Sequence, residues 1–212
     1  MQYVLCYGDS NTWGCVPETF ERYDFPVRWP GVMQRELGNQ YHIYENAMNG
    51  RTTVFEDPIE EGRNGRTGLE TLLMVHAPLD SVVLMLGTND VKDRHGQSPW
   101  DIAWGVDLLI TIIEKSGCGR DGSVPEILLV SPIHLNNDWG SSLHYTVFSE
   151  QSIEKSKQLA TCYHKVAQLH QCAFFDAATV AHAEGDGVHM STQSHEAIGK
   201  ALASEVRQLL HP

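Results

Sequence analysis

The stretch VLCYGDSNTWG, Val4 to Gly14, decides the fold. Its apolar run stops at Gly-Asp-Ser and gives way to polar residues, the pattern of a buried strand that ends in a tight turn. Ser10 is then either the cap of a following helix or a nucleophile presented at a strand end. Tyr3–Tyr7 reads as the first of five buried strands, followed by His42–Glu45, Ser81–Leu86, Glu126–Val130 and Ala173–Phe175. These runs are continuously apolar rather than alternating, as strands covered on both faces are.

Helical periodicity lies between them. Trp100–Lys115 sets Ile102, Ala103, Val106, Leu109, Ile110 and Ile113 on one stripe behind the start signal Ser98-Pro99. Glu196–Leu210 repeats the pattern with Ile198, Leu202, Val206 and Leu209, opened by Ser191 or Ser194. Strands alternating with helices predict one doubly wound α/β/α domain over residues 1–212, built on a parallel sheet of about five strands. Three segments read as long loops: Cys15–Arg28, Glu56–Arg66 and Pro132–Thr146. The last holds Trp139, two histidines and Tyr145 without periodicity, and is either a lid or a solvated excursion.

Composition narrows the function. A formal charge of −12, with no cluster of Lys and Arg in the chain, disfavours nucleic acid and anionic membrane surfaces and points to neutral or cationic small molecules. No apolar run approaches the roughly 20 residues of a membrane span. The N-terminus lacks a basic region, a long apolar region and a cleavage site, and five cysteines without CxxC spacing suit neither a disulfide framework nor a thiolate zinc site. The expectation is a cytoplasmic protein.

Ligands of open parallel sheets bind beyond the carboxyl ends of the strands. Those ends carry Gly8-Asp9-Ser10-Asn11, Asn46 to Thr52, Gly87-Thr88-Asn89-Asp90, and Asp176 followed by Asp186-Gly187-Val188-His189. A serine hydroxyl needs an imidazole to take its proton, and the imidazole needs a carboxylate to fix its tautomer. Ser10, His189 and Asp186 supply those groups. The backbone N–H of Ser10, the N–H of Gly50 and the Asn89 carboxamide are candidate donors to an oxyanion.

Taken in order across most of the chain, Gly8-Asp9-Ser10, Asn46 with Gly50, Gly87-x-Asn89-Asp90 and Asp186-x-x-His189 resemble the blocks of the SGNH (GDSL-type) hydrolase family. DSNTWG, NGRTT, PLDSVVLMLGTND and DGVHMS are similar to its bacterial arylesterase and acyltransferase branch. The resemblance implies a flavodoxin-like three-layer sandwich and a catalytic triad of Ser10, Asp186 and His189. It implies an oxyanion hole of Ser10, Gly50 and Asn89, with no metal. It also implies short-chain or aryl ester substrates, possible acyl transfer to alcohols or peroxide, and a homo-oligomer, often an octamer.

Asn11 stands where the family name has leucine, and either lines the pocket or caps the helix. Trp13 is core or pocket wall, and Val188 belongs to the expected substrate-binding set with them. Asp9 and Asp90 read as turn-fixing residues, each bonding within its own loop. The alternatives are a carbohydrate acetylesterase of the same mechanism, a metal-dependent hydrolase on Asp9, Asp186, His182 and His189, and a flavodoxin-like binding module. The last lacks GxGxxG and Walker A glycines.

Overall fold

The computed structural model describes residues 1–139 and 143–211; residues 140–142, within the loop Pro132–Thr146, lie outside the described residues. Five strands, β1 (Gln2–Gly8), β2 (Tyr41–Ala47), β3 (Ser81–Met85), β4 (Glu126–Ser131) and β5 (Ala173–Asp176), form a parallel sheet in the order β2-β1-β3-β4-β5. The register pairs Gly8 with Ala47 on one side and with Met85 on the other, so three strand ends finish level with one another. The topological switch point lies between β1 and β3, the position where such sheets open a crevice.

Six helices cover the sheet: α1 (Ser10–Trp13), α2 (Trp29–Leu37), α3 (Leu69–His76), α4 (Pro99–Lys115), α5 (Glu150–His170) and α6 (Thr192–Leu210). Strand pleating sends alternate side chains to opposite faces. Leu5, Tyr7, Val82, Leu84 and Leu129 pack against α3, α4 and α5, while Val4, Cys6, Val83, Met85, Leu128 and Val130 pack against α2 and α6. Both faces of the central strands β1, β3 and β4 are covered, which is why these three read as apolar runs, while the edge strands β2 and β5 are half-buried.

Helix starts follow local chemistry. Ser98 and Asp101 form a reciprocal capping box at α4, with Pro99 at the first helical position. Ser149 caps α5 and Ser191 caps α6. The loop Cys15–Arg28 is tied down by Glu45 of β2, whose carboxylate accepts from Arg22 at 2.7 Å and from Arg28 at 2.8 Å. None of the five cysteines is in a disulfide, and no described helix is long and apolar enough to cross a membrane.

Candidate active site

β1 ends in a turn that starts α1 at Ser10, with Asp9 as its N-cap accepting from Asn11 N–H at 2.9 Å. Ser10 Oγ lies 3.0 Å from His189 Nε2, and His189 Nδ1 lies 2.7 Å from Asp186 Oδ2. Asp186 is unexposed, and its Oδ1 also accepts the backbone N–H groups of Val188 and His189 at 2.9 and 2.8 Å. A carboxylate only accepts, so the proton between this pair sits on Nδ1, and once the ring is neutral Nε2 offers its lone pair to the Ser10 hydroxyl. Gly187 makes the turn possible, with φ +74°.

Ser10 and His189 border a cavity of about 630 Å³, whose lining also includes Gly50, Asn89, Phe20, Tyr145, Phe148 and Val188, while Asp186 lies buried behind the imidazole. Gly50, at φ +78°, follows β2, and Asn89 follows β3. One Asn89 amide hydrogen donates to Arg51 O at 3.1 Å, which fixes the carboxamide and leaves its second hydrogen available. Because α1 has only four residues, its dipole is small, and what the Ser10 backbone can offer is an N–H with no acceptor in its own helix.

The profile of the GDSL-like lipase/acylhydrolase family matches residues 6–197. The chain belongs to this family. It is a GDSL-like serine ester hydrolase. No curated protein matches its sequence significantly. Among solved structures, it is 36% identical to the native aryl esterase of M. smegmatis, with a TM-score of 0.93 over 99% of this chain and 100% of that one. It is 35% identical to Est24, a carbohydrate acetylesterase from Sinorhizobium meliloti, with a TM-score of 0.93 over 99% and 100% of the two chains. A GDSL-family lipolytic protein from Veillonella parvula, 14% identical with a TM-score of 0.68 over 98% of this chain and 99% of that one, shares the fold.

In this GDSL-like hydrolase, burial works against a charged His189, but the hydrogen bond to Asp186, with the Cys15 thiol beside the ring, outweighs it and raises its pKa to about 9. Burial likewise pushes Asp186 up, and its bonds to His189 and Tyr145 outweigh that and hold it well below the usual carboxylate range. His195 is buried and accepts Trp29 N–H at 3.3 Å; burial first, then the charges of His189 and Arg28, lower it to about 3. His182 is exposed and pairs with Glu184. Among the described residues no three His, Cys, Asp or Glu side chains are grouped to hold a metal ion, so Asp9, Asp186, His182 and His189 do not form a common ligand set.

Some placements differ from expectation. Asn11 does not reach the cavity: its Nδ2 donates to Val188 O and its Oδ1 accepts Met190 N–H, both at 3.1 Å, clasping the segment that bears His189. Trp13 is also off the cavity lining, with the Arg22 guanidinium 4.8 Å over its ring. Of the three expected substrate-binding residues, Val188 alone lines the cavity. Asp90 bonds within its own loop, its N–H donating to Gly87 O at 3.2 Å, and also across loops, its carboxylate accepting from Thr53 N at 2.9 Å and Thr53 Oγ1 at 2.6 Å. Arg51 ties the second loop down, donating to Gly8 O and Asn46 O at 2.9 Å each.

Sequence reasoning gave no role to Tyr145, whose hydroxyl donates to Asp186 Oδ2 at 2.7 Å, or to Phe20, which stacks on Tyr145 at 5.8 Å and meets His189 edge-on at 6.4 Å. It also missed Lys92 and Arg94 on the cavity lining. Lys92 had one local signal, its place three residues after Asn89.

Proposed function

We propose that Ser10 carries acyl transfer in this enzyme through a covalent ester. The carrying observation is the continuous line Ser10 Oγ, His189 Nε2, His189 Nδ1, Asp186 Oδ2, with steps of 3.0 and 2.7 Å. His189 takes the Ser10 proton as Oγ attacks the substrate carbonyl, and Asp186 stabilises the imidazolium that forms. The N–H groups of Ser10 and Gly50 and the Asn89 carboxamide receive the oxyanion. Collapse breaks the bond to the alcohol, which leaves with the proton from His189. Water, activated by the same imidazole, then releases the acid and restores Ser10. An alcohol or peroxide in place of water yields transfer rather than hydrolysis.

Short-chain and aryl esters are the substrates this reading assigns, supported by the M. smegmatis aryl esterase at 36% identity and by a cavity lined with Phe20, Tyr145 and Phe148. A second reading, release of acetate from carbohydrate esters, is favoured by the likeness to the Sinorhizobium meliloti acetylesterase. Both use the same triad and need no cofactor. The reading also includes a single hydrolase domain over residues 1–212, a cytoplasmic location and a homo-oligomer, for which an octamer is the first state to test. Labelling of Ser10 by a fluorophosphonate together with p-nitrophenyl acetate turnover is the test. Full activity in Ser10→Ala would sink the reading.

A further inference from the structure

The cavity lining that holds Ser10 and His189 also holds Lys92, Arg94 and Glu60, a polar part set among aromatic residues. Lys92 is only 6% exposed. Its backbone N–H bonds Asn89 O at 3.3 Å, so the turn that presents Asn89 also carries Lys92. Such a cation requires compensation, because burial disfavours its charge. The compensation is thin. Glu60 is its ion-pair partner at 3.5 Å, yet the same Glu60 oxygen accepts from Arg94 at 2.9 Å and the other oxygen faces Arg63 at 3.2 Å.

Asp57 makes no direct ion pair with Lys92 and acts on it only at longer range. It is taken by Arg94 and by the N–H groups of Ile59 and Glu60. His95, 3.5 Å from Asp57, has its pKa lowered by burial and adds no acid. In this cluster three cations, Arg63, Lys92 and Arg94, share two carboxylates, Asp57 and Glu60. The cluster thus holds one more cation than carboxylates, with Lys92 and Arg94 on the cavity lining, in a chain whose formal charge is −12. Against the acidic background of the chain, folding assembles a cationic cluster from residues spread between positions 57 and 95. An ammonium has three donors, and a long contact to one shared carboxylate leaves donors for a ligand.

We propose that Lys92 recognises a carboxylate carried by the substrate, so that the preferred esters bear a free carboxylate on a short arm beside the ester carbonyl. The inference rests on the esterase reading above and deepens it. The carboxylate has two sources, the acyl arm or the alcohol arm. Each is read against a neutral analogue: monomethyl glutarate against methyl pentanoate, and p-acetoxybenzoate against p-acetoxybenzamide, with acid release followed at constant pH.

In the wild-type enzyme, kcat/KM for one anionic ester exceeds that of its neutral analogue by about tenfold or more, the scale of one hydrogen bond to a charged group. Which pair shows it names the arm. The ratio falls to about one in Lys92→Met and is largely retained in Lys92→Arg. Wild-type ratios at or below one, or a preference that survives Lys92→Met, overturn the proposal. If Lys92→Met does not fold, inhibition of wild-type p-nitrophenyl acetate turnover decides: glutarate competes and glutaramide does not, whereas equal effects overturn it. Flat ratios with intact p-nitrophenyl acetate turnover reject this inference alone; absence of that turnover and of fluorophosphonate labelling rejects the esterase reading with it.

Discussion

The Tyr145 hydroxyl and the His189 imidazole meet the same oxygen of Asp186, each at 2.7 Å. The phenol comes from the loop Pro132–Thr146 and the imidazole from the turn after Asp186, so this one oxygen joins the loop to the triad. Sharing disperses the carboxylate charge and weakens its hold on the imidazolium. In Tyr145→Phe that hold strengthens. The acid limb of kcat/KM should therefore move to higher pH, while stability falls by about 1–3 kcal/mol as Asp186 loses a buried partner. An acid limb that stays in place in Tyr145→Phe would contradict the coupling.

His189, raised to about 9, must lose its proton before it accepts one from Ser10. Wild-type kcat/KM should accordingly climb between about pH 7 and 9 rather than level off near the ordinary histidine value of about 6.5. Asp186→Asn removes the charge behind the shift and moves the limb down, with kcat lower by about ten-thousand-fold because the tautomer is no longer fixed. Stability follows the same pair. A raised histidine stabilises below its unfolded pKa and ceases to as pH rises through about 9, and a depressed aspartate stabilises above about pH 4 and ceases to as pH falls. The Tm difference between wild type and Asp186→Asn should thus be largest between about pH 4 and 6.5 and decline as pH rises from there toward about 9.

Asn11 clasps the His189 segment from α1 through partners 177 and 179 positions away in the chain, Val188 O and Met190 N. Asn11→Ala leaves two buried backbone groups unpaired, at about 1–3 kcal/mol each. Urea unfolding should report that loss. KM for p-nitrophenyl acetate should change less than kcat, because the side chain does not line the cavity. A large rise in KM with kcat unchanged would restore Asn11 to the substrate wall.

The sheet was legible, and the residues proposed for the site could be picked out, because both are written locally. The apolar runs of β1, β3 and β4 mark strands buried on two faces, the edge strands β2 and β5 are only half-buried, and Ser10, Asn89, Asp186 and His189 stand at or after strand ends. The helix α5 was not marked, because Ser152 and Ser156 occupy core-facing positions where an apolar stripe would be read; Ser152 Oγ donates to Val91 O at 2.8 Å and Ser156 Oγ receives Leu135 N–H at 3.0 Å. Contacts such as Asp90 to Thr53, Tyr145 to Asp186 and Lys92 to Glu60 join loops from different strands, and no spacing within either loop announces them. The departure from leucine at Asn11 was visible, but its purpose lay in the loop at the other end of the chain.

Asn89 has one amide hydrogen anchored on Arg51 O at 3.1 Å, so its second is held in place before substrate arrives. A donor organised in advance acts on the oxyanion more than on the ground-state carbonyl. Asn89→Ala should lower kcat by about a hundredfold to a thousandfold with little change in KM. Asn89→Asp should do no better, since a carboxylate offers no N–H and repels the developing charge. Equal activity in Asn89→Ala would remove it from the oxyanion hole.

Gly187 couples backbone geometry to the triad most directly. It lies between Asp186 and the N–H groups of Val188 and His189 that bond back to Asp186 Oδ1 at 2.9 and 2.8 Å. Its φ of +74° disfavours any side chain, and a Cβ there would stand 2.6 Å from Asn136 O and 3.0 Å from Trp139 Cε3. Asn136 N–H in turn donates to Gly187 O at 3.1 Å, so relief of the clash requires the loop after β4 to retreat from the triad turn. Gly187→Ala should therefore displace His189 as well as strain the turn. Residual kcat should fall by at least about a hundredfold, since misplacement of a reacting group by about 1 Å has that effect. Fluorophosphonate labelling of Ser10 should slow in parallel. A variant that loses stability but labels at the wild-type rate would show that the turn bears on folding and not on the placement of His189.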